Sequence, residues 1–247
     1  MRKTTNPSLD LHEPRQRSRW IQALAILIGV APIYGMTIMS HVNRDRPYGL
    51  DEILFYSCVI APIMLVVLLL LLRFLCGERF GDLNLKQACW WQDVLGGIGL
   101  TVLTLGTVFF LGPVIGRLLP SNLQSVDNML IGLVQDPLKL ALFMGPGLAL
   151  GAAGFEELTR VFFLTRWWKI ASGTAWRWLG VFVSAAMFGL AHLYQGPAGI
   201  ANTAISRLIL AIAYLRFGRV WFLIISHYLH DALQIGLFVY LIQNGLI

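Results

Sequence analysis

Charge is scarce in this sequence: 13% of its 247 residues are Asp, Glu, Lys or Arg, against 57% that are hydrophobic. A soluble domain needs a charged surface, so this balance excludes an ordinary soluble fold and points to lipid as the solvent. Cysteine is scarcer still. Cys58, Cys76 and Cys89 are odd in number and share no metal-ligand or redox spacing, so neither a disulfide framework nor a cysteine zinc site is expected. Internal repeats and low-complexity tracts are absent, which removes the signature of an inverted-repeat transporter. There is no His-Glu-x-x-His helix and no Gly-x-Ser-x-Gly elbow, and the Gly81-Asp82 pair lies in a charged loop without a second intramembrane aspartate. The commoner intramembrane protease chemistries therefore lack their residues. The formal charge of +6 includes no basic patch with interleaved aromatics, so nucleic acid is not an expected partner.

What the sequence has in abundance is apolar runs able to cross a bilayer core of about 30 Å at about 1.5 Å per residue. Seven are predicted, at 20–39, 53–72, 94–115, 139–168, 178–193, 200–215 and 221–242. The expected fold is all-α: a polytopic membrane bundle of seven or eight transmembrane helices with its site in the interior. Residues 1–19 form a polar basic segment, 20–138 the N-terminal helices and loops, and 139–247 the chemical core; 116–138 reads as an interfacial helix or a loop. Sorting the cations into alternate loops gives an inside set of Arg2, Lys3, Arg15, Arg17, Arg19, Arg73, Arg79, Lys86, Arg166, Lys169, Arg177, Arg216 and Arg219. The outside set is Arg44, Arg46, Arg117 and Lys139. This asymmetry predicts a cytoplasmic N-terminus and, with seven spans, an external C-terminus.

Of the acidic residues only Glu156, Glu157 and Asp231 fall inside predicted spans, and of the histidines only His192, His227 and His230. An ionisable group at the bilayer centre costs at least about 2.5 kcal/mol, so such groups face the bundle interior, pair, and mark a site. Arg160 stands four residues after Glu156 and three after Glu157, so it can reach either carboxylate. Phe188 and His192 are four apart, as are His227 and Asp231, and His230 lies near the same side of its helix. Three helices thus offer one polar stripe each, which suffices to assemble a site in a bundle. Arg207 and Asn202 are secondary candidates, Arg207 either pairing with a site glutamate or bonding to backbone carbonyls. The Gly and Pro residues of 192–199 are expected to break the helix beside His192. Straight helices would leave His192 and His227 at depths differing by about 10 Å.

The sequences Glu156-Glu157-Leu158-Thr159-Arg160, Phe188-Gly189-Leu190-Ala191-His192 and His227-Tyr228-Leu229-His230-Asp231 resemble, in order and spacing, the CAAX protease and bacteriocin-processing family of intramembrane endopeptidases, relatives of the type II CAAX prenyl endopeptidase. The resemblance covers about residues 140–240. In that family the arginine usually stands five residues after the first glutamate; here that place is Val161. The resemblance implies that Glu156 and His192 activate a water molecule and that His227 and Asp231 stabilise the oxyanion, with Glu157, Arg160 and Phe188 in support. An ionised Asp231 would repel an oxyanion, so it is either protonated or orients His227. The resemblance implies a metal-free mechanism. Glu156, His192, His227 and Asp231 are also ligands of the right type for catalytic zinc. The expected partners are membrane lipid and a peptide or protein substrate, which the family allows to be lipid-modified. A non-catalytic scaffold or immunity-type protein is the competing class.

Overall fold

The computed structural model of the chain describes residues 18–35, 37, 38, 49–86, 89–120 and 124–246, with 124–129 described by backbone alone. The cations Arg2, Lys3, Arg15, Arg17, Arg44 and Arg46, and nearly all of the polar segment 1–19, lie outside the described residues. Eight helices organise the rest: α1 (Arg19–Tyr34), α2 (Leu50–Leu75), α3 (Trp90–Leu118), α4 (Gln124–Gln135), α5 (Pro137–Ile170), α6 (Thr174–Ala191), α7 (Leu193–Phe217) and α8 (Val220–Gln243). No strand occurs among the described residues. Six helices, α2, α3 and α5 to α8, are long and apolar enough to cross a membrane, and α1 is a shorter apolar helix. Each predicted span thus falls on a helix, although Met39, the end of the first, lies outside the described residues. The helices α2, α3, α5, α7 and α8 outrun the predicted spans, α2 and α3 taking in Asp51, Glu52 and Asp93 near their starts, whereas α6 stops at Ala191, two residues short. The stretch 116–138 is neither one loop nor one helix: its start closes α3, its middle forms α4, and its end opens α5.

Local signals set the ends. Ser18 caps α1 by accepting from the Ile21 amide. Asp136 caps α5 by accepting from the Leu138 and Lys139 amides, with Pro137 in the first turn, where a missing N–H costs nothing. At the end of α7 the chain reverses through Gly218 at φ +65°, which a side chain would resist.

The outer faces of α2 and α3 are apolar, with Val66, Phe74, Val102, Phe109 and Phe110 exposed, as lipid-facing helices require. The core lies around the second half of α5, where every residue from Glu157 to Arg166 is buried. Against it pack α1, α2 through Leu68 and Leu72, and the antiparallel pair α6 and α7 through Phe188, Leu210 and Tyr214. Helix α8 lies along α3, where Gly96 and Gly97 admit Phe222 and Ile225. A central helix surrounded on all sides would ordinarily be apolar all round. This one buries Glu157, Arg160 and Arg166, so each needs a partner.

Candidate active site

The first half of α5 carries the glycines Gly145, Gly147, Gly151 and Gly154 and is π-helical from Phe143 to Glu156. Such widened turns recur at functional sites because they re-aim the side chains that follow. A Cβ on Gly151 would come within 2.3 Å of the Ser57 carbonyl oxygen, so glycine is what lets α2 cross here. Glu156 and Glu157 emerge where the π-helix gives way to an α-helix, and they point to different surroundings.

Glu157 is fully buried. Arg160 grips its carboxylate with two hydrogen bonds, Nε to Oε2 at 2.7 Å and NH2 to Oε1 at 3.1 Å. The remaining arm of Arg160 donates to the Arg207 carbonyl at 3.1 Å, and its guanidinium lies 3.9 Å from the centre of the Phe188 ring. Arg160 therefore pairs with the second glutamate, and Phe188 acts as its cation–π platform. Oε1 of Glu157 also lies 2.8 Å from His227 Nδ1. A carboxylate only accepts, so Nδ1 carries the proton and Nε2 presents a lone pair.

Arg207 takes that lone pair. Its NH2 stands 2.5 Å from His227 Nε2 and 3.5 Å from Glu156 Oε2. Asp231 Oδ2 comes to 3.2 Å from the same histidine nitrogen, and Glu156 Oε2 to 4.0 Å. The structure thus draws Arg207 from the margin of the sequence reading into the centre of the cluster. Only its place in an otherwise apolar run marked it.

Glu156 faces both ways. Its side chain is 18% exposed, and the buried Oε2 meets Arg207 and His227 on one side. On the other it lines a cleft of about 60 Å³ with Tyr56, Phe155, His192 and Tyr194. That volume accepts a few water molecules. His192 is the residue that ends α6 rather than a member of the helix, and its Nδ1 lies 2.9 Å from the Phe188 carbonyl. Nδ1 therefore donates there, which leaves the Nε2 lone pair for another donor. His192 and His227 need not share a level, because Glu156 lies between them and serves both.

Two candidates fall elsewhere. His230 turns towards α3, its Nδ1 3.0 Å from Thr104 Oγ1 and its Nε2 2.5 Å from the Gln234 amide. Asn202 faces Gly112 of α3. No three His, Cys, Asp or Glu side chains among the described residues are grouped to hold a metal ion. The Nε2 lone pair of His227 that a metal would use is met by a guanidinium.

Residues 138–233 match the family model for type II CAAX prenyl endopeptidase Rce1-like proteins. The match spans all three motifs, from the start of α5 to just beyond Asp231. No curated protein and no solved structure matches the chain. Its apolar helices and this match make the protein an integral, multi-pass membrane protein.

Proposed function

We propose that this protein hydrolyses a peptide bond of a membrane-associated protein or peptide, with Glu156 and His192 activating the water, a reading supported by the match of residues 138–233 to the type II CAAX prenyl endopeptidase Rce1-like family model. The observation that carries this reading is the water-sized cleft lined by the Glu156 carboxylate and His192, whose Nε2 is left to accept. Glu156 takes one proton of the bound water, while His192 Nε2 accepts a hydrogen bond from the other. The water oxygen adds to the scissile carbonyl carbon, and the displaced electron pair makes an oxyanion. That charge falls to the His227 and Asp231 side of the cluster: His227 Nε2, once protonated and released by Arg207, donates to the oxyanion, and Asp231 Oδ2, 3.2 Å from that nitrogen, holds the imidazolium in place. When the adduct collapses the C–N bond breaks, and the proton held by Glu156 passes to the leaving amine.

This route is metal-free, the cation beside Glu156 being Arg207. The cleft is sized for water and not for a peptide, so substrate binding requires the helices around it to part. The family description suggests a lipid-modified substrate, and a membrane location suits one. The cation asymmetry of the sequence argues for a cytoplasmic N-terminus, so a reporter fused there should be active only on that side.

Purified protein should cleave its substrate fully after exhaustive chelation and carry no stoichiometric metal, whereas activity restored only by zinc would overturn the metal-free route. Glu156→Gln should abolish cleavage and remove one truncated peptide from the membrane proteome. Retained cleavage would sink the assignment of Glu156.

A further inference from the structure

The two arginines inside the cluster are not equivalent. Arg160 is satisfied on every side: its three donor groups engage Glu157 and the Arg207 carbonyl, and an aromatic ring lies beneath it. Arg207 is not. Its Nε is buried without a hydrogen-bond partner, as is Glu156 Oε2, the carboxylate oxygen its NH2 approaches at 3.5 Å. With the closed Glu157–Arg160 pair set aside, two carboxylates remain, Glu156 and Asp231, with one imidazole and one guanidinium between them. Both carboxylates converge on His227 Nε2, at 4.0 and 3.2 Å. In a site largely withdrawn from water such charges repel strongly unless a cation stands between them. Arg207 is that cation, 2.5 Å from the same nitrogen.

We propose that Arg207 is a positioning residue of the hydrolytic site: it balances Asp231 against Glu156 around His227 and holds the Glu156 carboxylate turned to the cleft. The proposal rests on the reading of Glu156 as the water-activating base. Arg160 cannot take this part, because its donors are already committed. Since Arg207 acts by charge, its importance depends on Asp231: with asparagine at 231, one of the two repelling carboxylates is gone, and less depends on the guanidinium.

The test is a double-mutant cycle on the full-length protein in detergent, with kcat and KM measured separately. Arg207→Gln should lower kcat by about 100-fold in the parent, as for other lost preorganised donors, with KM within about 3-fold. In an Asp231→Asn background the same change should cost less than about 10-fold. Equal losses in both backgrounds, a loss confined to KM, or no loss would overturn the proposal. So would an Asp231→Asn protein with under about a hundredth of parental activity, since the charge of Asp231 would then be needed for itself. Should Arg207→Gln not fold, Arg207→Lys keeps the charge without the planar fork, and losses of about 10-fold and about 2-fold are expected in the two backgrounds. Equal losses again count against the proposal. Glu156→Gln runs alongside: if it still cleaves, the hydrolytic reading fails, whereas if it is inactive and the cycle is additive, only the part given to Arg207 falls.

Discussion

Glu156 and Glu157 stand about 100° apart around their helix, and that rotation separates a reagent from a support. Glu157, with no exposed surface, accepts two bonds from Arg160 and one from His227. Its removal leaves a buried guanidinium without its counter-charge, so Glu157→Gln should destabilise the protein by about 3–5 kcal/mol. Glu156→Gln should leave the thermal midpoint in detergent nearly unchanged while abolishing cleavage. Equal midpoints for the two variants would show that Glu157 is not the structural member of the pair. Spacing alone left this division undecided, because a residue three or four positions on can reach either carboxylate. What decides it is the phase of α5 within the bundle, which sets which glutamate is buried between Arg160 and His227 and which faces the cleft. Arg207 was harder to read for a related reason: no fixed spacing within α7 ties it to a partner, and its partners lie on two other helices.

At the scale of the element, α5 makes the site possible. Its glycines permit close approach, and the stretch that carries them is π-helical, a form that one sequence does not disclose. The approach is tightest at Gly151, where the Ser57 backbone fills the place of a side chain. This brings Tyr56 to the cleft beside Glu156, a residue for which no motif argued. The break predicted after His192 is present too, as the turn that opens α7 through Gly196 at φ +79°. Its consequence was not legible: with the helix ended at His192, the ring bonds back to the Phe188 carbonyl through Nδ1, which leaves Nε2 as the free acceptor. Helical periodicity finds which residues share a face, but caps and junctions obey local bonds that periodicity does not contain.

Over the whole molecule, Lys86 comes together with Arg216 and Arg219, which stand far from it in sequence. The Lys86 ammonium donates to the Arg216 carbonyl, Arg219 donates to the Lys86 carbonyl and grips Asp93, and the Leu85 amide bonds to Gly218. Beside them Glu78 is held by Arg166 through both oxygens and by Lys169 at 2.5 Å. The loop after α2 is thereby clasped to the end of α5, the same helix that carries Glu156. Burial by itself would push the Glu78 carboxyl up, but the bonds and charges of Arg166 and Lys169 outweigh it and hold the group below its ordinary 4.5. A carboxyl with a lowered folded-state pKa stabilises the fold fully above its unfolded value, and that contribution is lost as pH falls through the folded one. The thermal midpoint should therefore hold from neutral pH down to about 5 and fall below about 4.5 as the clasp protonates. Glu78→Gln strands the buried Arg166, so it should cost about 3 kcal/mol at neutral pH and make the acid decline shallower. An acid decline equally steep in both proteins would mean that the loop is held to α5 by something other than this carboxylate.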